Sequence, residues 1–569
     1  MRLLPFVAIL CVWLLGAWSI DVMDIDSSQY ASIAKEMAET GNYLQVKNRG
    51  EDYLDKPPLL FWVAAVFFQL FGISHFVFRL PAILFSLVGL YATYRLAKLY
   101  YPEKVAYLSA LLTGSCYAFF LMHHDLRTDT MLTAAVMVAI WQIAEYEANK
   151  QWKNLFWGFS AIAWAMLAKG PIGFMVPVLA FSTDFVLKRK FTAFFRWQWL
   201  VGLLIVALWL LPMCIGLYLQ FDAQPHKVVN GVKGESGLYF YFWKQSFGRL
   251  TGENAWNNSP PLTFLLENFL SWSFLPWAFL FIPAFVFALW KIVAQGFRLS
   301  AQQEAISIGG FLLPFVALSM SKFQLPHYTF ILHPLAGIIT AVYIYEICEK
   351  KAFLWGYRVG VGLQIFVILV LIALAILLNV WAFPLTNWAI ITISGVFFVG
   401  GIAQLFLGKQ DAYQPLVWAS FWVMIGANIL INTHIYPQIF QYQASSVLAK
   451  YVRYESQIPI ENVFAYRRLF GNNQDLQLHS WDFYSKKNIL DLKNLKEVDS
   501  LMKNKKTLWF YTDKRGLSEI EALATQNKMT TQIVKVLDKF HVSMLSLEFL
   551  NPSTRPKTLQ KVFFVKIGT

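Results

Sequence analysis

The sequence predicts a mostly α protein: a polytopic membrane helical bundle followed by a small C-terminal α/β domain. Three observations predict it. Of 569 residues, 57% are hydrophobic and 17% aromatic while only 14% are charged, and the mean hydropathy of +0.47 excludes a soluble domain of that length. Apolar runs long enough to cross a bilayer recur from residue 3 to residue 433, separated by short loops that carry Lys and Arg. From residue 434 to 569 the character changes: charged stretches such as "SKKNILDLKNLKEVDSLMKNKK" alternate with β-like runs, "TLWFYT" and "KVFFVKI", the pattern of an α/β domain. Two domains follow, 1–433 and 434–569.

The spans are expected near 3–20, 80–100, 105–122, 129–147, 154–170, 171–187, 199–219, 264–290, 305–320, 328–347, 353–379, 385–407 and 415–433, about 13 crossings at about 20 apolar residues each. The first run, "LLPFVAILCVWLLGAWSI", follows Arg2 as a signal peptide would. It lacks a small-x-small cleavage site and is read as a retained span. The segment "PPLLFWVAAVFFQLFG", residues 57 to 72, is apolar but short, and the pair Pro57 and Pro58 opens a helix.

Charge places it. If 57–72 lies in the interface, the basic loops "PEK" at 102, "NKQWK" at 149, "LKRK" at 187, "FRLS" at 297, "EKK" at 349 and "GKQ" at 408 all face the cytoplasm. The N-terminus is then inside, and the C-terminal domain lies across the membrane in the periplasm. The same distribution accounts for the net charge of +14 as topology signals and contacts to anionic membrane lipids, without nucleic acid. Cys11, Cys116, Cys214 and Cys348 sit in apolar runs with no partner at ligand spacing, which predicts neither a disulfide nor a zinc cluster.

After the first span comes "DVMDIDSSQY", with Asp21, Asp24 and Asp26 at the water boundary. From Asp26 onward Tyr30, Ile33, Ala34, Met37 and Ala38 recur at helical spacing until Gly41, which predicts an amphipathic helix capped by Asp26 or Ser27 and lying on the outer surface. Capping alone would explain one carboxylate. Other charges gather at the same face: Asp55 and Lys56 in "YLDKPPLLFW", Asp125, Arg127 and Asp129 in "HHDLRTDTML", Lys169 in "WAMLAKGPIGF", Lys322 and His327 in "SMSKFQLPHY", and Lys244, Arg249 and Glu253 in "FWKQSFGRLTGENAW". The positive-inside rule works against lysines there, so their presence points to an anionic ligand. A carboxylate beside several cations at this depth suits sugar transfer from a polyprenyl-phosphate carrier. The cations would stabilise the leaving phosphate, and an Asp would take the acceptor's proton. His123 and His124 are read as packed rather than metal-binding.

Taken in order, "DIDSSQYASIAKEM", "YLDKPPLLFW", "RLPAILFSLVGLYATYRLAKLYY", "RTD", "LAKGPIGF" and "SKFQLPHYTFILHP" resemble the bacterial aminoarabinose (lipid A) transferase and protein O-mannosyltransferase superfamily, integral-membrane glycosyltransferases of the GT-C fold. The resemblance covers residues 1 to about 435. It implies inverting transfer on the periplasmic side from an undecaprenyl- or dolichyl-type phosphosugar, with two interfacial helices in the first outer loop. By matching motifs it implies Asp26 and Asp129 as catalytic carboxylates. Lys56, Lys169, Arg249 and Lys322 would face the donor phosphate, and Asp55 would be a metal ligand, a divalent metal being the candidate cofactor. Two departures stand out: Ser27 follows Asp26 where the family often has Glu, and Ser246 stands where the lipid A transferases tend to carry His. Both weaken the metal assignment and the lipid A acceptor.

Other readings remain. The acceptor is a lipid, lipopolysaccharide or other envelope molecule, or else Ser and Thr of exported proteins. A transporter or flippase would also need many spans, but it would show internal repeats and midplane charge, and the charges here collect at one face. A sensor with the tail as ligand domain leaves the lysine-bearing loops unexplained.

Overall fold

The computed structural model describes residues 3–229, 231–248, 253, 258–348, 354–407, 413–466 and 478–568. Helices or helix pairs occupy all the apolar segments. Among the described residues, six are long and apolar enough to cross a membrane: His75–Tyr100, Gln198–Asp222, Pro326–Glu346, Arg358–Ala382, Trp388–Phe406 and Gln414–Phe440. A seventh is the pair Glu103–Ser115 and Tyr117–His124, bent by 46° at Cys116. The shorter apolar helices include Leu4–Ser19, Ile172–Leu187, Ala278–Ala294 and Ile306–Ser319. The protein is a multi-pass membrane protein, mostly helical.

The chain divides into two compact units: residues 1–18, 37–375 and 387–430 form the first, and 19–36, 376–386 and 431–569 the second. In the first, the helices Asp129–Asn149 and Trp152–Lys169 pack as an antiparallel pair. One buried cation ties three elements: Arg79, fully buried, donates to Ala17 O at 3.4 Å and to His124 O at 3.0 Å. An unpaired guanidinium there would be costly, and its planar fork suits several carbonyls at once. His123 is packed, its ring 4.3 Å from that of Trp13 and its Nε2 3.1 Å from Ser86 Oγ.

One expected span is corrected. Residues 264–290 do not make a single helix; Phe264–Asn268 and Phe269–Ser273 end before a turn through Pro276, and Ala278–Ala294 follows. Pro276 supplies no backbone N–H, so the ladder breaks there. The 57–72 segment forms the helix Leu59–Phe71, and Pro58 precedes it as expected.

The second unit holds a five-stranded sheet. Its strands are β1 (Val463–Tyr466), β2 (Leu490–Leu492), β3 (Thr507–Asp513), β4 (Thr530–Lys539) and β5 (Gln560–Gly568), in the order β2-β1-β3-β5-β4. β1 runs parallel to β2 and β3, and β5 is antiparallel to β3 and β4. Helices Leu495–Asn504 and Lys514–Gln526 cover it, capped by Asn494, which accepts from Glu497 N, and Asp513, which accepts from Gly516 N. Val498 and Ile520 pack on Leu508, Phe510, Val565 and Ile567. The segment 376–386 is held in this unit by Arg555, whose Nη2 donates to Ala382 O at 2.6 Å and whose guanidinium lies 4.1 Å from the Phe383 ring centre.

The expected amphipathic helix is Asp26–Thr40, and it begins at Asp26. Tyr30, Ile33, Ala34 and Met37 are buried. Gly41, at a φ of 69°, ends it by donating to Met37 O, a left-handed position that only glycine adopts without strain.

Candidate active site

The site in the first unit is built from helix ends. Asp129 is the first residue of its helix and Lys169 the last of the next, so each charge sits at the helix end whose dipole favours it. Lys169 Nζ donates to Asp129 Oδ1 at 2.6 Å, with the Asp129 side chain 3% exposed and that of Lys169 14%. Burial to that degree is tolerated because the two charges meet. The 3-10 helix Pro326–Leu332 adds His327, whose Nε2 lies 3.9 Å from Asp129 Oδ2, and Tyr328, whose ring centre lies 4.4 Å from Lys169 Nζ. The aromatic face and the carboxylate together hold the ammonium in place. Behind it, Gly170 at a φ of 93° turns the chain out of the helix.

Asp129, Lys169 and Tyr328 border a cavity of about 170 Å³. Its far wall is apolar, made by Ile172, Met175, Val176 and Leu179 on one helix and Pro314, Ala317 and Leu318 on another. Its near end carries Lys56, Asp129, Lys169, Gln245, Ser246 and Tyr328. Lys56 pairs with Asp55 Oδ2 at 2.7 Å, and the Asp55 carbonyl accepts from Gln245 Nε2. Arg127 and Asp125 pair nearby in sequence at 2.8 Å.

Of the residues singled out from the sequence, the structure brings Lys56, Asp129 and Lys169 to one cavity. Lys322 is exposed and is not part of its lining; Ser321 beside it is. Arg249 lies outside the described residues. Asp26 belongs to the second unit, where it starts its helix partly buried. Lys244 faces Glu235, at 2.7 Å.

Asp55 does not fit a divalent metal. Its carboxylate is engaged by Lys56, and among the described residues no three His, Cys, Asp or Glu side chains come together. A hard dication needs several such oxygens or imidazoles.

Gln245, Ser246 and Tyr328 were missed as lining residues. Tyr328 follows His327 in a stretch already rich in polar groups at an apolar boundary. Gln245 follows Lys244, and only the pairing of Lys244 with Glu235 reveals which of the two faces the cavity.

The profile of the family described as "Dolichyl-phosphate-mannose-protein mannosyltransferase" matches residues 55–215. The "Undecaprenyl phosphate-alpha-4-amino-4-deoxy-L-arabinose arabinosyl transferase" of Shewanella sediminis is 25% identical over 458 residues, 75% of this chain and 77% of that protein. A second protein of that name, from Proteus mirabilis, is 23% identical over 60% of this chain and 59% of its own length. Among solved structures, ArnT from Cupriavidus metallidurans bound to undecaprenyl phosphate superposes with a TM-score of 0.74 at 16% identity, over 99% of this chain and 97% of that one. At that identity the likeness establishes the fold.

Proposed function

We propose, from the chain's place in the superfamily of integral-membrane glycosyltransferases that holds the aminoarabinose transferases and the protein O-mannosyltransferases, that it moves a sugar from an undecaprenyl-type phosphate to a lipid A, lipopolysaccharide or other envelope acceptor. One observation carries the reading: an apolar cavity whose one end is set with Lys56, Lys169 and Asp129. That shape suits an amphiphile with a long hydrocarbon tail and an anionic head. The names of the relatives supply the donor class.

In this reading Asp26, assigned by its motif, takes the proton of the acceptor hydroxyl as that oxygen attacks the anomeric carbon. The bond from that carbon to the phosphate oxygen breaks with inversion, and the electron pair leaves on the phosphate. Lys56 and Lys169 stabilise the growing charge, with Arg249, assigned by its motif, as a further cation of the donor side. Asp129 holds the Lys169 ammonium in place. The enzyme lies in the bacterial inner membrane with its N-terminus cytoplasmic and its C-terminal domain periplasmic, as the basic loops require.

The test is transfer from radiolabelled undecaprenyl-phosphate sugars to cell-envelope acceptors by purified wild type and Lys56→Ala. Label entering lipid supports the reading. Label entering protein selects a second reading, transfer to Ser or Thr of exported proteins, which the matched family's description favours. No transfer across a broad donor panel would overturn both.

A further inference from the structure

We propose that the C-terminal domain is a positioning device for Asp26, acting through side chains and backbone carbonyls between residues 443 and 485 that clamp the chain on both sides of it. Before Asp26, Lys450 Nζ donates to both oxygens of Asp21, at 2.5 Å for Oδ2, and Tyr484 OH bridges Val22 N at 2.8 Å and Asp21 Oδ1 at 3.2 Å. Gln443 accepts from Asp24 N at 2.9 Å and donates to Val22 O at 2.9 Å. Ser445 and Ser480 donate to Asp24 Oδ2 at 3.2 and 3.0 Å. After Asp26, Ser32 Oγ donates to His479 O at 2.8 Å, and the buried Lys35 Nζ donates to Asp482 O and Ser485 O, both at 2.7 Å.

The choice of groups argues for placement over adhesion. A stripe of apolar side chains would hold the segment with less desolvation cost than a buried ammonium and two carboxylates. Directional bonds to Asp21, Asp24, Ser32 and Lys35 fix the backbone between them in register, as a reacting group must be fixed to a fraction of an ångström. Asp21 and Asp24, which could simply shape a turn, are the anchors. Ser445, Ser480, Lys450 and Lys35 are therefore positioning residues, and the inference rests on the reading of Asp26 as the base.

The experiment uses the full chain in detergent with a radiolabelled undecaprenyl-phosphate sugar, comparing wild type, Ser445→Ala/Ser480→Ala, Lys35→Met, the milder Ser480→Ala, and Asp26→Asn alone and combined with the serine pair. The expected result is a fall in kcat of about 10-fold to 100-fold in the clamp variants, an unchanged KM for the donor, and faster amide exchange over residues 21–30. In the Asp26→Asn background the serine substitutions should cost nothing further, since a misplaced base and a missing one are the same loss. Clamp variants that loosen 21–30 yet keep wild-type kcat overturn the positioning role and leave Asp26 as base. So does a clamp loss that multiplies with Asp26→Asn, which marks general destabilisation. Wild-type transfer by Asp26→Asn overturns the reading of Asp26 itself.

Discussion

Lys169 Nζ and Asp129 Oδ1 lie 2.6 Å apart, a lysine at the end of one helix bonded to a carboxylate at the start of another. The pair joins two needs: the carboxylate holds a cation where a leaving phosphate would develop charge, and the cation neutralises a carboxylate that is otherwise buried. Removing either partner strands the other.

Lys169→Met and Asp129→Asn should each lower both transfer and thermal stability, because breaking a buried pair costs about 3–5 kcal/mol. The double variant should be more stable than the sum of the two, with a coupling of at least about 1 kcal/mol. Melting in detergent measures this; strictly additive losses would show that the pair is too well solvated to matter.

Asp26→Asn keeps a side chain able to cap its helix. Its melting temperature should stay near wild type while the transfer rate falls by about 100-fold to 10,000-fold. A parallel loss of fold and rate would return Asp26 to a capping role.

Burial holds the Asp24 carboxyl above its ordinary value of 3.8, against hydrogen bonds from Ser28, Ser480 and Ser445 and the charge of Lys539. The folded state therefore binds this proton more readily than the unfolded chain. The stability it contributes is full below pH 3.8 and is lost as pH rises through the raised folded value. Compared with Asp24→Asn, wild type should lose melting temperature progressively as pH rises above about 4. A constant difference would show that the hydrogen bonds offset burial completely.

Gly173, in the helix Ile172–Leu187, has no room for a side chain: a Cβ there would lie 2.6 Å from Ala165 C and 2.7 Å from Met166 N. Gly173→Ala must push this helix off the one that ends in Lys169, at about 1–3 kcal/mol. It should also strain the bond from Tyr241 OH to Met166 O. Lower melting temperature and slower turnover together are the expected outcome; an unchanged melting temperature would mean the helices part without cost.

Much of this was legible from spacing. The period of Tyr30, Ile33, Ala34 and Met37 announces a buried helix face, and the lysines held against the positive-inside rule at 56 and 169 lead to the cavity. What escaped is what periodicity does not encode. The bend at Cys116 and the break before Ala278 leave composition unchanged, so an apolar run reads as continuous through both. Lys322 and Lys56 look alike in sequence, but only Lys56 lines the cavity, while Lys322 is exposed. Lys450 and Ser445, partners of Asp21 and Asp24, stand more than 400 positions away, and no local pattern points across that distance.

That distance has a consequence for how the protein is made. The chain leaves the ribosome from the N-terminus, so Asp21 and Asp24 are inserted at the membrane long before Ser445, Lys450 and Ser480 exist. A nascent chain with every membrane helix in place still lacks the groups that hold its first acidic segment. Competence arrives only with the last quarter of translation, and prematurely terminated products that stop after residue 440 should be membrane-integrated yet silent.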